Sequence, residues 1–466
     1  MAGNGVNVNP LDSPFSLLSL FRSRAMVALI SFGTLLVSSN SKATTWTVEW
    51  NPAQPENQIG AIAEIAASGD TILVGPGTYY EHIPLESKSL AFIGIEGKEN
   101  TILDGSAIIE GREKSIIYMV GGDAEDLIVE GFTLRNGGGA PEEYGLISGG
   151  AISWWSRGLG GSATIQDCHF HDNYLLDDSS MGGGAVYLSD IFTVTMVGCV
   201  FDNNDADDVG GSAYIYNFEE SIVKDCDFYI HSGSRAFGAA LYSSGTGPIS
   251  IIDCRFQGSG SCDGRTGLRV ANLSATIKGN SFLDLDGPCA TRIKLAPRLT
   301  VGDPHFSLIF TENHVWNSVG HTVGTDFQFW MNYSNSAIQF DHNTIVGTFV
   351  VFNSDHGNHP ICSNNIFFES PVVASSSVGM HITCNNFWPD SLELTNPDNA
   401  FIEDNISLDP RFCDPELGDF HIAFQSPCAP GNSPEGCDLI GRLDPACDQT
   451  PTKNATWGSL KLLYRK

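Results

Sequence analysis

A short apolar motif recurs along the middle of this chain of 466 residues, and no other feature constrains the fold as strongly. In each copy an apolar residue is followed three positions later by cysteine or asparagine, and then by a second apolar residue. Successive markers are 31, 27, 28, 26, 33, 30, 21 and 21 residues apart. The markers are Cys168, Cys199, Cys226, Cys254, Asn280, Asn313, Asn343, Asn364 and Asn385. Repeats of roughly 20 to 50 residues indicate stacked structural units.

A second repeated feature keeps a nearly constant phase with these markers. Four alanines precede the next cysteine by 17, 14, 13 and 14 residues, and they are Ala151, Ala185, Ala213 and Ala240. The segments between turns are too short for helices and are rich in β-branched and aromatic residues, which is typical of strands. We expect about three short strands per coil and coils ~4.8 Å apart, so that residues at equal phase form columns. The cysteine column should be buried, and the asparagine column should hydrogen-bond from coil to coil.

The entry to the repeat region has the pattern of a helix followed by a strand. Residues 58–67 have helical periodicity and end before Gly69, and residues 70–79 have strand character. This entry resembles that of the pectate-lyase-like right-handed β-helix proteins, and glycine-rich copies such as residues 182–187 resemble those of adhesin-type β-helices. The resemblance covers roughly residues 45–390. It implies an all-β fold, namely a right-handed parallel β-helix of about ten to twelve coils with an N-terminal capping helix.

Four segments follow from these patterns. Arg22 and Arg24 precede an apolar run over residues 25–37 and a small-residue cleavage site, so residues 1–43 are interpreted as a signal peptide. Residues 44–410 form the β-helix, residues 411–449 a C-terminal closing segment, and residues 450–466 a short tail. The apolar run is too short to span a bilayer of ~30 Å. We expect a monomer without a membrane span, secreted, periplasmic or on the outer surface of a bacterium.

Four of the twelve cysteines lie in the closing segment, among proline and glycine: Cys413, Cys428, Cys437 and Cys447. In an oxidising compartment they are expected to form two disulfides. The sequence does not fix the pairing; the preferred pairs are Cys428 with Cys437 and Cys413 with Cys447. Cys262 and Cys289 are a third candidate pair.

The tail over residues 450–466 is set off by Thr450, Pro451 and Thr452. It resembles the short Trp-Gly tails of some exported bacterial proteins, which implies a sorting or docking segment. The alternative is a final strand or helix packed on the last coil.

The charge balance narrows the classes of partner. The chain has 54 acidic and 24 basic residues and a formal net charge of -30, which argues against nucleic acid as a partner. No phosphate-binding loop, dinucleotide fingerprint or zinc motif is present, so no organic cofactor is expected. His171 beside Asp172, and His342 beside Asp341, resemble acid–base pairs, but polar residues are also expected at coil corners.

Acidic turns precede two of the strands that follow the alanine track. Stacked carboxylates repel one another unless a cation lies between them, so calcium is a candidate ligand; alternatively, the loops spread into water. The candidate calcium ligands are Asp177, Asp178, Asp207 and Asp208.

Columns of aromatic and cationic residues would make a ribbon along the solenoid between residues 151 and 294, a shape suited to an extended polysaccharide. The candidate binding residues are Trp154, Trp155, Tyr187, Tyr214, Tyr216, Tyr242, Arg269, Arg292 and Lys294. A one-residue slip would exchange the inner and outer faces, so some of these aromatic residues must be core.

We favour a non-catalytic role in adhesion or in binding an extracellular polysaccharide or cell-surface glycan. The alternative is a carbohydrate-active enzyme, a lyase or hydrolase of an acidic polysaccharide. The β-helix resemblance implies that such an enzyme uses calcium-binding carboxylates with an Arg or Lys base, or paired Asp acids. The catalytic candidates in the entering turns are Asp178, Asp208, Arg235 and Arg265.

Overall fold

The computed structural model of the protein describes residues 43–107, 115–121, 125–141, 147–175, 180–206, 209–231, 240–259, 267–284, 306–316, 326–332, 336–356, 360–376, 379–389 and 392–448. Within these ranges the regular secondary structure is almost entirely β-strand, with one α-helix, α1 (Gln58–Ile65), and two 3-10 turns, Pro397–Asn399 and Pro415–Leu417. No helix in the described ranges is long and apolar enough to cross a membrane.

The strands follow one another at short intervals along the chain. The first twenty are β1 (Thr45–Val48), β2 (Asp70–Val74), β3 (Gly77–Tyr80), β4 (Ile83–Glu86), β5 (Leu90–Gly94), β6 (Thr101–Asp104), β7 (Ile117–Val120), β8 (Asp126–Glu130), β9 (Thr133–Arg135), β10 (Ala140–Pro141), β11 (Ile147–Ser148), β12 (Ile152–Gln166), β13 (His169–His171), β14 (Tyr174–Leu175), β15 (Ser180–Gly182), β16 (Val186–Val197), β17 (Val200–Asp202), β18 (Asp205–Ala206), β19 (Ala213–Tyr216) and β20 (Glu220–Lys224). The others are β21 (Asp227–His231), β22 (Leu241–Ile252), β23 (Arg255–Ser259), β24 (Leu268–Lys278), β25 (Ser281–Leu283), β26 (Phe306–Thr311), β27 (His314–Trp316), β28 (Asp326–Asn332), β29 (Ser336–Asp341), β30 (Thr344–Val346), β31 (Phe349–His356), β32 (Ile361–Ser363), β33 (Ile366–Phe368), β34 (Val372–Ser376), β35 (Met380–Thr383), β36 (Asn386–Trp388), β37 (Leu392–Leu394), β38 (Ala400–Glu403), β39 (Phe412–Asp414) and β40 (Asp419–Ile422).

Three long ladders of parallel strands run along the molecule, and the chain visits them in a fixed order. Face A contains β4, β7, β19 and the first parts of β12, β16, β22 and β24. Face B contains β1, β2, β5, β8, β20, the second parts of the same long strands, and then β26, β29, β32, β35 and β38. Face C is a separate 12-stranded sheet that runs from β3 to β36. This arrangement is that of a β-solenoid.

In the later coils face A is replaced by a 4-stranded parallel sheet of β28, β31, β34 and β37. Among the described residues, face B comprises fourteen successive strands or parts of strands, and the expected total of about ten to twelve coils stays a prediction. In the early coils the marker position holds residues other than cysteine or asparagine, such as Phe132. The repeated motif therefore does not reveal these coils in the sequence.

The core is built from alternate residues that point inward from each face. On face C the inward position holds a stack of phenylalanines whose ring centroids lie between 4.7 and 5.0 Å apart. They are Phe170, Phe201, Phe228, Phe256 and Phe282. Their spacing is that of neighbouring strands in a sheet, so the stack has the repeat of the coils.

In the coils that carry the repeat, the corner between faces B and C is a turn of one residue with positive φ. Asp167, Asp225 and Asp253 have φ values of 49°, 52° and 54° there, and Gly198 and Gly279 have 65° and 70°. Asp, Asn and Gly tolerate this left-handed conformation better than other residues do. The marker residue comes directly after this corner residue, which explains why one short motif recurs in the coils from Cys168 to Asn385.

The predicted marker columns are confirmed with one correction. The four cysteines after the corner are buried, and the asparagines are joined by side-chain bonds such as Asn313 Nδ2 to Asn343 Oδ1 at 3.1 Å. In the copy predicted to carry Asn364, the buried residue is Asn365, and Asn364 takes the corner with φ 55°. The predicted register is one residue early in this copy, because Cys362, and not the exposed Ile361, points into the core.

Helix α1 forms where the periodicity predicted a helix, and it contacts β1, β2 and β4. It lies in the chain where later coils have a strand of face A. The buried Glu81 carboxylate accepts hydrogen bonds from the amides of Ile59 at 2.8 Å and Gly60 at 3.1 Å. These amides begin the helix and have no partner within it, so Glu81 supplies the charge that a helix N-terminus favours.

Residues 411–448, here called the C-terminal strap, lie along the outside of face C. Phe412, Phe420 and Ile440 form a second hydrophobic cluster with Val346 and Ile366 of that face. Farther back, the Arg442 guanidinium donates hydrogen bonds to the carbonyls of Gly279 at 2.7 Å and Asn280 at 3.1 Å. The strap therefore covers the side of several coils and is more than a closure of the last one.

Two disulfides stabilise the strap, and only one is the expected pair. Cys413 is bonded to Cys447 as expected, but Cys437 is bonded to Cys384. The expected pair of Cys428 with Cys437 is therefore wrong. Cys428 is a free, buried thiol, 3.1 Å from Asn386 Nδ2, whereas Cys384 occupies a B–C corner beside the strap. The candidate pair Cys262 and Cys289 lies outside the described residues.

The strap buries a histidine that cannot be protonated at low cost. The His314 ring lies 4.9 Å from the Phe420 ring, and its Nε2 has no hydrogen-bond partner among the described residues. Burial, and then the nearby Arg442 guanidinium, lower the pKa of His314 to about 3. Since the unfolded chain binds this proton near pH 6.5, stability is lost as the pH falls below that value, by up to about 1.4 kcal/mol per unit.

We therefore expect His314→Phe to lose less stability on acidification than the parent protein. Between pH 7 and pH 5 the parent should lose about 2 kcal/mol more than the variant, measured by urea unfolding at both pH values. The control is Gln339→Leu, an exposed change that removes no ionisable group and should keep the pH dependence of the parent. An equal loss in the parent and His314→Phe would contradict this account.

Candidate functional site

Glycine turns set the orientation of the strands on face A. Gly149, Gly183 and Gly210 stand just before β12, β16 and β19 and have φ values of 54°, 72° and 60°. A Cβ atom at any of them would overlap the backbone carbonyl three residues later. Only glycine fits both the conformation and the space. The turn therefore fixes which side chains of the following strand point outward.

The outward positions of face A carry a column of aromatic rings, here called the aromatic column. Tyr187, Tyr214, Tyr242 and Arg269 occupy equal positions in four successive coils. The rings of Tyr214 and Tyr242 are stacked, with centroids 4.9 Å apart and an interplanar angle of 15°. The Arg269 guanidinium carbon lies 4.8 Å from the centroid of the Tyr242 ring, which is cation–π geometry.

The aromatic column becomes accessible partway along the solenoid. Tyr187 is 1% exposed and meets Tyr214 edge-on, with centroids 5.6 Å apart. Tyr214, Tyr242 and Arg269 are half-buried. Their accessible surface is therefore an aromatic strip that ends in a cation.

A polar network lies beside the column, at the bend between faces A and B. Asp190, with φ 60°, accepts hydrogen bonds from Trp155 Nε1 at 3.0 Å, from Ser189 Oγ at 2.8 Å and from Asn217 Nδ2. These donors come from three successive coils, so one carboxylate orients the Trp155 ring and ties the coils together. Sequence reasoning missed Asp190, although a Ser-Asp pair that ends an alternating segment is a usable turn signal.

The structure corrects part of the predicted ribbon. Trp154 is 0% exposed and belongs to the core, because the turn at Gly149 points its neighbour Trp155 outward instead. Tyr187 is on the predicted column but is buried, so it cannot contact a ligand in this arrangement. Tyr214, Tyr242 and Arg269 are brought together.

Several candidates lie outside the described residues, and the structure leaves them as predictions. They are Asp177, Asp178, Asp207, Asp208, Arg235, Arg265, Arg292 and Lys294. Among the residues that the structure describes, no group of three or more His, Cys, Asp or Glu side chains is placed to hold a metal ion.

The two His–Asp neighbours are present as hydrogen-bonded pairs at coil corners. His171 Nδ1 lies 2.8 Å from Asp172 Oδ2, and His342 Nδ1 lies 2.7 Å from Asp341 Oδ2. Asp341 also accepts a bond of 2.8 Å from Ser363 Oγ in the next coil. This bond joins two coils, which is the structural role expected of corner residues.

No protein-family model matches this sequence, and comparison with curated proteins gives no match either.

Proposed function

We propose that this protein binds an extended acidic glycan without chemical turnover, on face A of an exported β-solenoid. The observation that carries the proposal is the stack of half-buried Tyr214 and Tyr242 rings with Arg269 above them. The strip runs along the solenoid axis, so successive units of a polymer can meet successive coils.

The chemistry of the strip suits an acidic sugar polymer. Aromatic faces provide flat apolar contact, and a guanidinium binds a carboxylate through paired hydrogen bonds. The chain has a formal net charge of -30, so an anionic polymer needs a local cation to approach. Arg269 supplies that charge at the end of the accessible strip.

The proposal also includes the handedness of the solenoid, the role of α1 and the export of the protein. We infer right-handed winding, because about 98% of crossovers between parallel strands are right-handed. We also infer that α1 protects the first coils. Export is supported by the leader pattern of residues 1–43 and by the two disulfides, which form and persist in oxidising compartments.

The alternative function, a lyase or hydrolase, would depend on residues in the entering turns. Asp178, Asp208, Arg235 and Arg265 remain its candidates, with calcium as the candidate cofactor. Asp190, a carboxylate that lies beside the strip, accepts hydrogen bonds from three side-chain donors, and one of these bonds positions Trp155.

The test is glycan binding by three variants. Tyr242→Ala should raise the Kd for a polyuronate about tenfold, since losing one stacked ring and its cation contact costs about 1.4 kcal/mol. Arg269→Ala should weaken binding to polyuronates and leave binding to neutral glycans unchanged. The control is Tyr229→Ala, a half-buried tyrosine on face C, which should bind like the parent.

Circular dichroism would verify that each variant keeps its β-structure. If all variants bind as the parent does, the strip is not the site. Unsaturated or reducing ends that appear in the binding mixture, and disappear with a chelator, would replace the proposal with the enzyme alternative.

A further inference from the structure

The last strand of face B leaves one edge of the solenoid open. β38 pairs with β35 on one side, and no described strand pairs with it on the other. Ile402 continues the inward column of Cys362 and Ile382, which are each 1% exposed, yet it is 47% exposed. Its neighbour Phe401 is 46% exposed. The hydrophobic core is therefore uncovered at this end, within the part of the chain that the structure describes.

The open edge is also acidic. Four exposed carboxylates lie on β38 or close to it in the chain, namely Glu393, Asp398, Glu403 and Asp404. An occupant that suits this edge needs apolar side chains for the uncovered core and cations for the carboxylates around it.

Residues 450–466 have this composition, although their structure is not described. They contain four basic residues, Lys453, Lys461, Arg465 and Lys466, and no acidic one, in a chain with only 24 basic residues. Leu460, Leu462 and Tyr464 stand at alternate positions, which is the pattern of a strand with one apolar side.

The covalent connections place this segment within reach. Asp448 is the last described residue, and Cys447 beside it is bonded to Cys413. The short chain from Asp404 to Cys413 spans at most about 30 Å, whereas an extended segment of the length beyond Asp448 spans about 60 Å.

We propose that the open edge formed by β38 is the docking site for this chain's own residues 450–466. The segment covers Ile402 with its apolar side and places its cations beside Glu403. A second copy of the chain is a poorer occupant, because the first coil exposes Glu49, Glu56 and Glu64, which would face the acidic edge with like charge. The proposal does not depend on glycan binding.

Hydrogen exchange on the mature chain, compared with a chain that ends at Asp448, tests the docking. The amides of Phe401 to Glu403 should exchange at least tenfold faster in the shortened chain. The amides of Ile382 and Thr383, which lie one coil inside, serve as the internal control and should be unchanged. Equal exchange at β38 in the two chains would overturn the proposal.

A charge exchange distinguishes docking from a general loss of stability. Glu393→Lys with Glu403→Lys should speed exchange at β38, and so should Lys461→Glu with Arg465→Glu. All four changes together should restore the protection. Glu220→Lys, an exposed change elsewhere on face B, should have no effect at β38.

Failure of the fourfold variant to restore protection would refute the charge pairing. Protection that rises with protein concentration would show that a second copy occupies the edge, and would also overturn the proposal.

Discussion

Replacing Gly184 with alanine is expected to lower the free energy of unfolding by about 3 kcal/mol. A Cβ at this position would lie 2.0 Å from the carbonyl oxygen of Gly211 and 2.5 Å from that of Asp205. Both are backbone atoms, so no side-chain rotation relieves the overlap. The amide of Gly184 also donates to the Gly210 carbonyl at 3.1 Å, and pushing the coils apart would lengthen this bond.

The effect should reach the candidate site, because Gly184 leads into the strand that carries Tyr187. Urea unfolding monitored by circular dichroism gives the stability change, and the polyuronate Kd gives the change at the aromatic column. Gly158→Ala is the matched control, since a Cβ there would meet nothing within 4 Å. A Gly184→Ala protein as stable as the parent would mean that the coils do not pack as closely as described.

Replacing Asn343 with leucine should cost about 3 to 5 kcal/mol, although the two side chains are similar in size. Asn343 is fully buried, and its Oδ1 accepts bonds from the amide of Asn313 at 2.9 Å and from Asn313 Nδ2 at 3.1 Å. Its own Nδ2 donates to the Phe310 carbonyl at 3.0 Å and to Asn365 Oδ1 at 2.9 Å. Leucine would leave these partners buried and unsatisfied.

Denaturant unfolding of Asn343→Leu measures this cost. Gln339→Leu, an exposed change on the preceding strand, is the control and should alter stability by less than about 0.5 kcal/mol. A small effect at Asn343 would indicate that water or backbone adjustment replaces the lost hydrogen bonds.

The repeat made the stacked fold predictable because it marks a corner with strict conformational demands. A residue that tolerates positive φ, followed by a small buried residue, has few alternatives, so copies far apart in sequence stay recognisable. The register was harder to assign where two neighbouring residues are equally suited to the same position in the coil. Asn364 and Asn365 are adjacent, and the exposed Ile361 looks as suitable for a core as Cys362 does.

The orientation of neighbouring aromatics could not be predicted for a related reason. Trp154 and Trp155 have the same side chain, and only the turn at Gly149 decides which one is core. The position of the strap could not be predicted, because its contacts join residues that are far apart in sequence. Arg442 contacts Gly279, 163 positions earlier. Cys384 belongs to the repeat motif, so its disulfide with Cys437 of the strap was not expected.

The one-residue corner between faces B and C has a consequence for how such a chain evolves. With Asn365 as the marker of its coil, marker spacings range from 20 to 33 residues, yet this corner keeps the same length in the coils that carry the repeat. Insertions and deletions must therefore collect in the connections elsewhere in the coil, chiefly between faces C and A. One edge of the molecule then acts as an invariant spine, while the other edge can diversify and whole coils can be gained or lost without disturbing their neighbours.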